Sequence, residues 1–260
     1  MKKTAFSLVL FLLAALLLLP ACNDSLQTEK LFLEEKIPFH QSEDNGYSIL
    51  LDIDFPTAGF SREVIDRLRR SIRIATLGEI YADFEGTLAE LAEEYRSTRN
   101  EDYVVSNESM LEDMEMDEKE APFLNWGTDI RGSFGESWGD WVVYQIENYE
   151  YRGGAHGIGT ETPVVFDKNS GNAVSWRQVV PGISDEKIIR LINAHKYDSM
   201  QDMIQDAGVE KEDIFYVNPI EPSDSFRVGE DGLTFCYQPY DVAAYVFGVI
   251  TITVPWEELR

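Results

Sequence analysis

Tyr149-Glu150-Tyr151-Arg152-Gly153-Gly154-Ala155-His156-Gly157 is the stretch that decides how this chain folds. Residues 141–151, which lead into it, alternate as a β-strand requires. Trp141, Val143, Gln145, Glu147, Tyr149 and Tyr151 share one face, and Val142, Tyr144 and Ile146 share the other. Residues 162–167 read as a second strand, followed by a hairpin-type turn, Lys168-Asn169-Ser170-Gly171-Asn172. Paired glycines can take φ > 0 or bring the backbone close to another group. His156 therefore sits in a glycine-rich surface loop held on a rigid sheet, a place where function is often carried. Two readings fit it: a tight turn whose histidine hydrogen-bonds locally, and a loop that contacts a ligand.

Downstream, residues 185–200 follow helical spacing through Ile188, Ile189 and Ile192, with His195 and Met200 further along. Three more strands read at 224–228, 233–238 and 246–254, the first two joined by the turn Glu230-Asp231-Gly232. Upstream, Tyr47, Ile49, Leu51, Ile53 and Phe55 alternate onto one strand face, and residues 31–37 form a weaker strand. Ser61 caps a helix carrying Val64, Ile65, Leu68, Ile72 and Ala75; a second helix spans about residues 87–97. Arginines 62, 67, 69, 70 and 73 on the first helix are the main basic cluster, and pairing with nearby acids is the simplest account of them. Residues 100–120 have no steady period and place acids around Met110, Leu111, Met114 and Met116. This is an acidic connector or a short helix that packs its methionines. Phe123, Trp126, Phe134, Trp138 and Trp141, interleaved with glycines, read as core anchors, with a sugar-binding surface as the alternative. The expectation is an α+β protein of two small domains, each an antiparallel sheet packed with one or two helices, with the boundary at residue 120.

The first residues are a targeting signal: Lys2 and Lys3, then an apolar run over residues 5–19. It ends in Leu19-Pro20-Ala21-Cys22, which resembles a bacterial lipobox. That resemblance implies a signal peptide over residues 1–21, lipidation at Cys22, a tether over residues 22–30 and an anchor in a membrane on its extracytoplasmic side, the outer membrane in a Gram-negative cell. The alternative is an ordinary secretory signal with an incidental cysteine. With Cys22 acylated, Cys236 is alone and reads as a buried strand thiol. The chain has 47 acids against 22 bases, and removing Lys2 and Lys3 with the signal takes the formal charge from −25 to −27. Such a balance repels nucleic acid and anionic lipid and attracts a basic partner.

Four blocks in order resemble one known family: Tyr151-Arg152-Gly153-Gly154-Ala155-His156; Phe166-Asp167-Lys168 with Gly171; Asp231-Gly232-Leu233-Thr234-Phe235 with Tyr237; and Pro239-Tyr240 with Val242, Ala243, Tyr245 and Gly248. Over residues 125–260 the chain resembles the C-terminal domain of the lysozyme-responsive anti-sigma factor RsiV, a domain shared by many envelope proteins of unknown function. Residues 31–120 are similar, in pattern only, to the N-terminal domain of the peptidoglycan deacetylase PdaC. The resemblance implies a non-catalytic, monomeric binding module that recognises lysozyme or another basic protein. The alternative is a glycan-binding or accessory protein of an envelope hydrolase. The expected ligand-contacting residues are Tyr151, Gly153, Gly154, His156, Pro239 and Tyr240. No cofactor or metal is expected. The three histidines, His40, His156 and His195, lie in separate segments without zinc-site spacing, and no Gly-x-Ser-x-Gly elbow is present.

Overall fold

The structure is a computed structural model that describes residues 25–40, 42, 44–200, 204, 208 and 210–260. The expected signal peptide and Cys22 lie outside the described residues. Strands β1 (Gln27–Pro38) and β2 (Gly46–Ala58) pair antiparallel, and their alternation puts Leu31, Ile37, Tyr47, Ile49, Leu51, Ile53 and Phe55 on one buried face. Helices α1 (Arg62–Leu77) and α2 (Leu88–Met114) cover that face, burying Val64, Leu68 and Ile72, then Leu91, Tyr95 and Tyr103. Ser61 caps α1, and Thr87 with Glu90 forms a capping box on α2, satisfying backbone N–H groups that the first turn leaves unpaired.

The chain then returns as β3 (Trp126–Trp138) and turns back as β4 (Trp141–Arg152); β5 (Ile158–Glu161) and β6 (Val164–Asp167) both pair with β4. β3 lies beside β2 in parallel, Tyr47 to Ile53 against Trp126 to Gly132. The larger sheet therefore departs from the expected antiparallel pairing at one position, and it runs through the expected boundary at residue 120. A parallel neighbour needs a crossover connection, and α1 and α2 are that crossover.

The second body contains α3 (Trp176–Val179), α4 (Asp185–His195) and a small antiparallel sheet of β7 (Phe226–Val228), β8 (Gly232–Tyr237) and β9 (Ile250–Pro255), closed by a last helical turn, Trp256–Leu259. Its core gathers Trp176, Ile188, Ile192, Phe235 and Ile252. The molecule is thus α+β with two sheets and two cores. The cores part along β4 and β6: Val142, Tyr144 and Phe166 belong to the first, and Val143 and Val165 to the second.

The connector differs from expectation. Residues 100–114 continue α2, because Tyr103 and Asn107 are fully buried and the Tyr103 hydroxyl donates to the Leu124 carbonyl at 2.6 Å. Met110, Met114 and Met116 are exposed and do not pack into the core. The arginines of α1 pair as expected: Arg67 with Glu63, Arg69 with Glu29 and Arg70 with Asp83, while Arg73 donates to the Tyr81 and Ala82 carbonyls. Among the described residues no helix is long and apolar enough to cross a membrane.

Two histidines each bridge two carboxylates. His195 meets Asp198 at 2.7 Å and Glu258 at 2.9 Å, tying α4 to the last helical turn. His40 meets Glu108 at 3.0 Å and Glu118 at 3.2 Å, tying the β1–β2 turn to α2. The hydrogen bond to Asp198, then that to Glu258, raises the pKa of His195; those to Glu108 and Glu118 raise His40. A folded pKa above the unfolded value of about 6.5 gives stabilisation that is complete below about 6.5 and lost as pH rises through the folded value. Urea midpoints are expected to fall as pH rises above about 6.5, and His40→Gln with His195→Gln is expected to remove that fall. A fall of the same size in the double variant would assign it to other groups.

Candidate functional site

The loop after β4 starts from a fixed base. Glu150 accepts from Arg99 of α2 at 2.7 Å, from Arg152 at 2.8 Å and from Thr128 Oγ1 at 3.1 Å. Arg152 in turn lies over the Trp126 ring, 4.8 Å from its centroid. Charged hydrogen bonds and a cation–π contact at a half-buried position hold Tyr151 and Arg152 in place.

The glycines then differ in role. Gly153 has φ +74°, and a Cβ there would overlap the Phe123 carbonyl group. Gly154 is exposed, has open space around it and accepts from the Tyr151 hydroxyl at 3.0 Å. Gly157 is buried beneath the Tyr149 ring, which a side chain would displace.

His156 hydrogen-bonds locally through Nδ1 to the Gly157 carbonyl at 2.9 Å, as the turn reading requires. Its ring also stacks on Tyr245, with centroids 4.4 Å apart. The Tyr245 hydroxyl donates to the same Gly157 carbonyl at 2.8 Å, and Tyr240 stacks on Tyr245 at 5.6 Å. Three rings, in the order His156, Tyr245, Tyr240, form one rim, with His156 and Tyr240 exposed and Tyr245 half-buried between them. The glycine loop and the Pro239–Tyr240 turn, separate in sequence, meet there.

Gln238 makes that meeting rigid. Its side-chain amide accepts from Glu161 N–H at 3.0 Å and donates to the Glu161 carbonyl at 2.7 Å, occupying the free backbone edge of β5. Its own N–H donates to Asp241 at 2.7 Å, and Asp241 N–H returns a bond to the Gln238 carbonyl at 2.9 Å, which fixes the turn. Within that turn Tyr240 is held at φ +75°, with 53% of its surface exposed, and its carbonyl accepts from the Tyr216 hydroxyl. A non-glycine residue there stores strain, of order 1–3 kcal/mol, and such strain clusters at functional sites.

Of the six expected contact residues, His156, Gly154 and Tyr240 are exposed, Tyr151 and Gly153 are half-buried, and Pro239 is buried beneath the turn. Sequence reasoning missed Gln238, Tyr216 and Tyr245. Tyr245 stood inside a quoted block, but only its stacking partners give it a role. Cys236, one strand position from Tyr237, is fully buried; burial pushes its thiol up to about 11, which keeps it protonated and inert. Among the described residues no group of three or more His, Cys, Asp or Glu side chains is arranged to hold a metal ion.

Beside the rim lies the uncovered face of the larger sheet, with an open depression of about 290 Å³ lined by Asp129, Arg131, Glu147, Tyr149, Glu161 and Val249.

Residues 180–257 match DUF3298, a protein family of unknown function. The matched segment runs from the end of α3 through β9, so it holds Gln238, Tyr240 and Tyr245 but not the His156 loop. Two crystal structures of DUF3298 proteins share the fold over nearly the whole chain. One, from Bacteroides fragilis, superposes with a TM-score of 0.77 at 20% identity, covering 90% of this chain and 91% of its own. The other, from Pseudomonas aeruginosa, has a TM-score of 0.61 at 18% identity, covering 92% and 94%. No curated protein matches the chain by sequence.

Three substitutions test the geometry of the rim. Gly153→Ala is expected to cost about 1–3 kcal/mol, since it meets both a positive φ and a backbone group, whereas Gly154→Ala changes stability little. Gln238→Ala leaves the Glu161 N–H and carbonyl without their partner and is expected to cost about 1–3 kcal/mol. Urea unfolding of the three variants reads both effects.

Proposed function

We propose that this chain is a lipid-anchored, non-catalytic binding protein of the bacterial envelope, and that it recognises a basic protein, lysozyme among them, at the rim formed by His156, Tyr245 and Tyr240. The convergence of two expected contact loops into one aromatic rim carries this reading. Aromatic rings give large contact area at low entropic cost, and such residues are enriched at binding hot spots. The rim sits on a chain of formal charge −25, which steers a basic partner toward it. The resemblance of residues 125–260 to the RsiV C-terminal domain supports lysozyme as the ligand. The lipobox-like Leu19-Pro20-Ala21-Cys22 supports the anchor, and pattern similarity of residues 31–120 to the PdaC N-terminal domain agrees with an envelope setting.

One observation favours a second reading. Tyr240 ends the stack with a ring that is 53% exposed, and such a ring can pack on the apolar face of a sugar. Peptidoglycan fragments are the ligand on that reading.

Calorimetry of residues 23–260 with a c-type lysozyme, at low and moderate salt, tests the first reading. Binding that weakens but persists with salt is expected, since exposed charges are screened while ring contacts are not. His156→Ala and Tyr240→Ala are each expected to lose roughly tenfold in affinity with unchanged unfolding midpoints, as truncation of an interface aromatic commonly costs more than 1 kcal/mol. Absence of binding at both salts overturns the lysozyme reading and moves the test to peptidoglycan fragments.

A further inference from the structure

The larger sheet is covered on one face by α1 and α2 and, on the other, only where β4 and β6 meet the second core. The rest of that second face is open across β1 to β5. Its composition follows from the register. One row across the sheet runs Phe32, Asp52, Arg131, Glu147, Glu161; the next runs Glu34, Leu50, Asp129, Tyr149, Gly159.

The charges on this face do not balance. Lys30 pairs with Asp52 and Asp54, and Arg131 forms a two-pronged pair with Asp129 at 3.0 Å on each prong. Lys36 donates to a backbone carbonyl, that of Asp44. The carboxylates of Glu34, Glu147 and Glu161 have no ion pair or hydrogen bond among the described residues, and Arg131, directly opposite Glu147, pairs with Asp129 instead. Glu147 and Glu161 moreover stand directly opposite one another on adjacent strands, an arrangement of like charges that destabilises a sheet. The face also exposes large apolar surface: Phe32 is 58% exposed and Tyr149 45%. A sheet face that presents more acids than bases is complementary in charge to a basic protein surface.

We propose that this face docks the basic protein, one lysine or arginine of which enters between Glu147 and Glu161 at its β4–β5 edge. The inference rests on the basic-protein reading above and adds to it the surface that supplies charge, which adjoins the glycine loop at Tyr149, whose ring lies against Gly157. A cation between the two glutamates relieves a repulsion that exists only in the free protein, so the same pair weakens the free fold and strengthens the complex.

The test uses the full chain in detergent, with c-type lysozyme as the probe. Glu147→Gln with Glu161→Gln is expected to raise the melting temperature of the free protein, to weaken binding roughly tenfold, and to flatten its salt dependence. Glu94→Gln with Glu101→Gln, an equal loss of charge on the exposed side of α2, is the control and is expected to leave affinity unchanged. If the control weakens binding as much as the face variant does, net charge alone is responsible and the face is overturned. If the face variant binds as the unsubstituted chain does while Tyr240→Ala weakens, the face is overturned and the basic-protein reading stands. If the unsubstituted chain does not bind, that reading falls and the inference falls with it.

Discussion

The parallel pairing of β2 with β3 constrains the rest of the molecule. Antiparallel neighbours can be joined by a short turn, but a parallel neighbour obliges the chain to cross back over a sheet face before it re-enters. Residues 59–125 make that crossing as α1 and α2, and in doing so they choose which face is closed. The choice is fixed by side chains that span the crossover. Tyr47 of β2 and Thr128 of β3 share a hydroxyl contact at 2.7 Å, and Arg99 of α2 reaches both Tyr47 and Glu150. With that side closed, the second core packs on the opposite face, and it does so only at the β4–β6 end. An uncovered face across β1 to β3 and the far ends of β4 and β5 is the geometric remainder.

β4 is where the two bodies join. Its alternation supplies Val142, Tyr144 and Ile146 to one core and Val143 to the other, so the strand is dry on both sides at its start and wet by Glu147. A strand in that position cannot shift register without moving apolar groups from both cores at once. The loop that follows therefore leaves from a fixed point, and the Glu150 pairs hold that point at the surface. The rim derives its geometry from this rigidity, since His156 stays stacked on Tyr245 only if both loops are placed by elements that do not move.

Much of this was legible in the sequence. The alternation of residues 47–55 and 141–151 gives two strands and their buried faces, and the cap at Ser61 marks a helix start. Arg67, Arg69 and Arg70 of α1 find carboxylates as charge counting predicts, while Arg73 turns to backbone carbonyls. Less legible was the length of α2. Its second half is acidic and carries little apolar periodicity, because that half is held by a few specific contacts of Tyr103 and Asn107 rather than by a stripe. The short strand β5 was missed for a related reason: Ile158-Gly159-Thr160-Glu161 has no alternation to read, and β4 on one side with Gln238 on the other keeps it extended. The boundary at residue 120 follows a real change in composition, but the pairing of Tyr47 with Trp126 across the whole of α1 and α2 leaves no local signal. The meeting of the two loops lies beyond sequence reading in the same way, since it depends on long-range backbone bonds rather than on residue type.

Gln238 connects the rim to the uncovered face. Side-chain pairing across β4 and β5 works against β5, because Glu147 and Glu161 repel. What keeps β5 in place is backbone: its ladder to β4, and the Gln238 amide that completes both polar groups of Glu161. The main chain of Glu161 is thus secured while its carboxylate is left against a like charge. A neutral or basic residue at either position would have stabilised the strand pair. The same glutamine that fixes the strand fixes the turn bearing Tyr240, so the exposed ring and the unpaired carboxylates are held at a set spacing by one side chain. A surface held in that way has little conformational freedom left to lose.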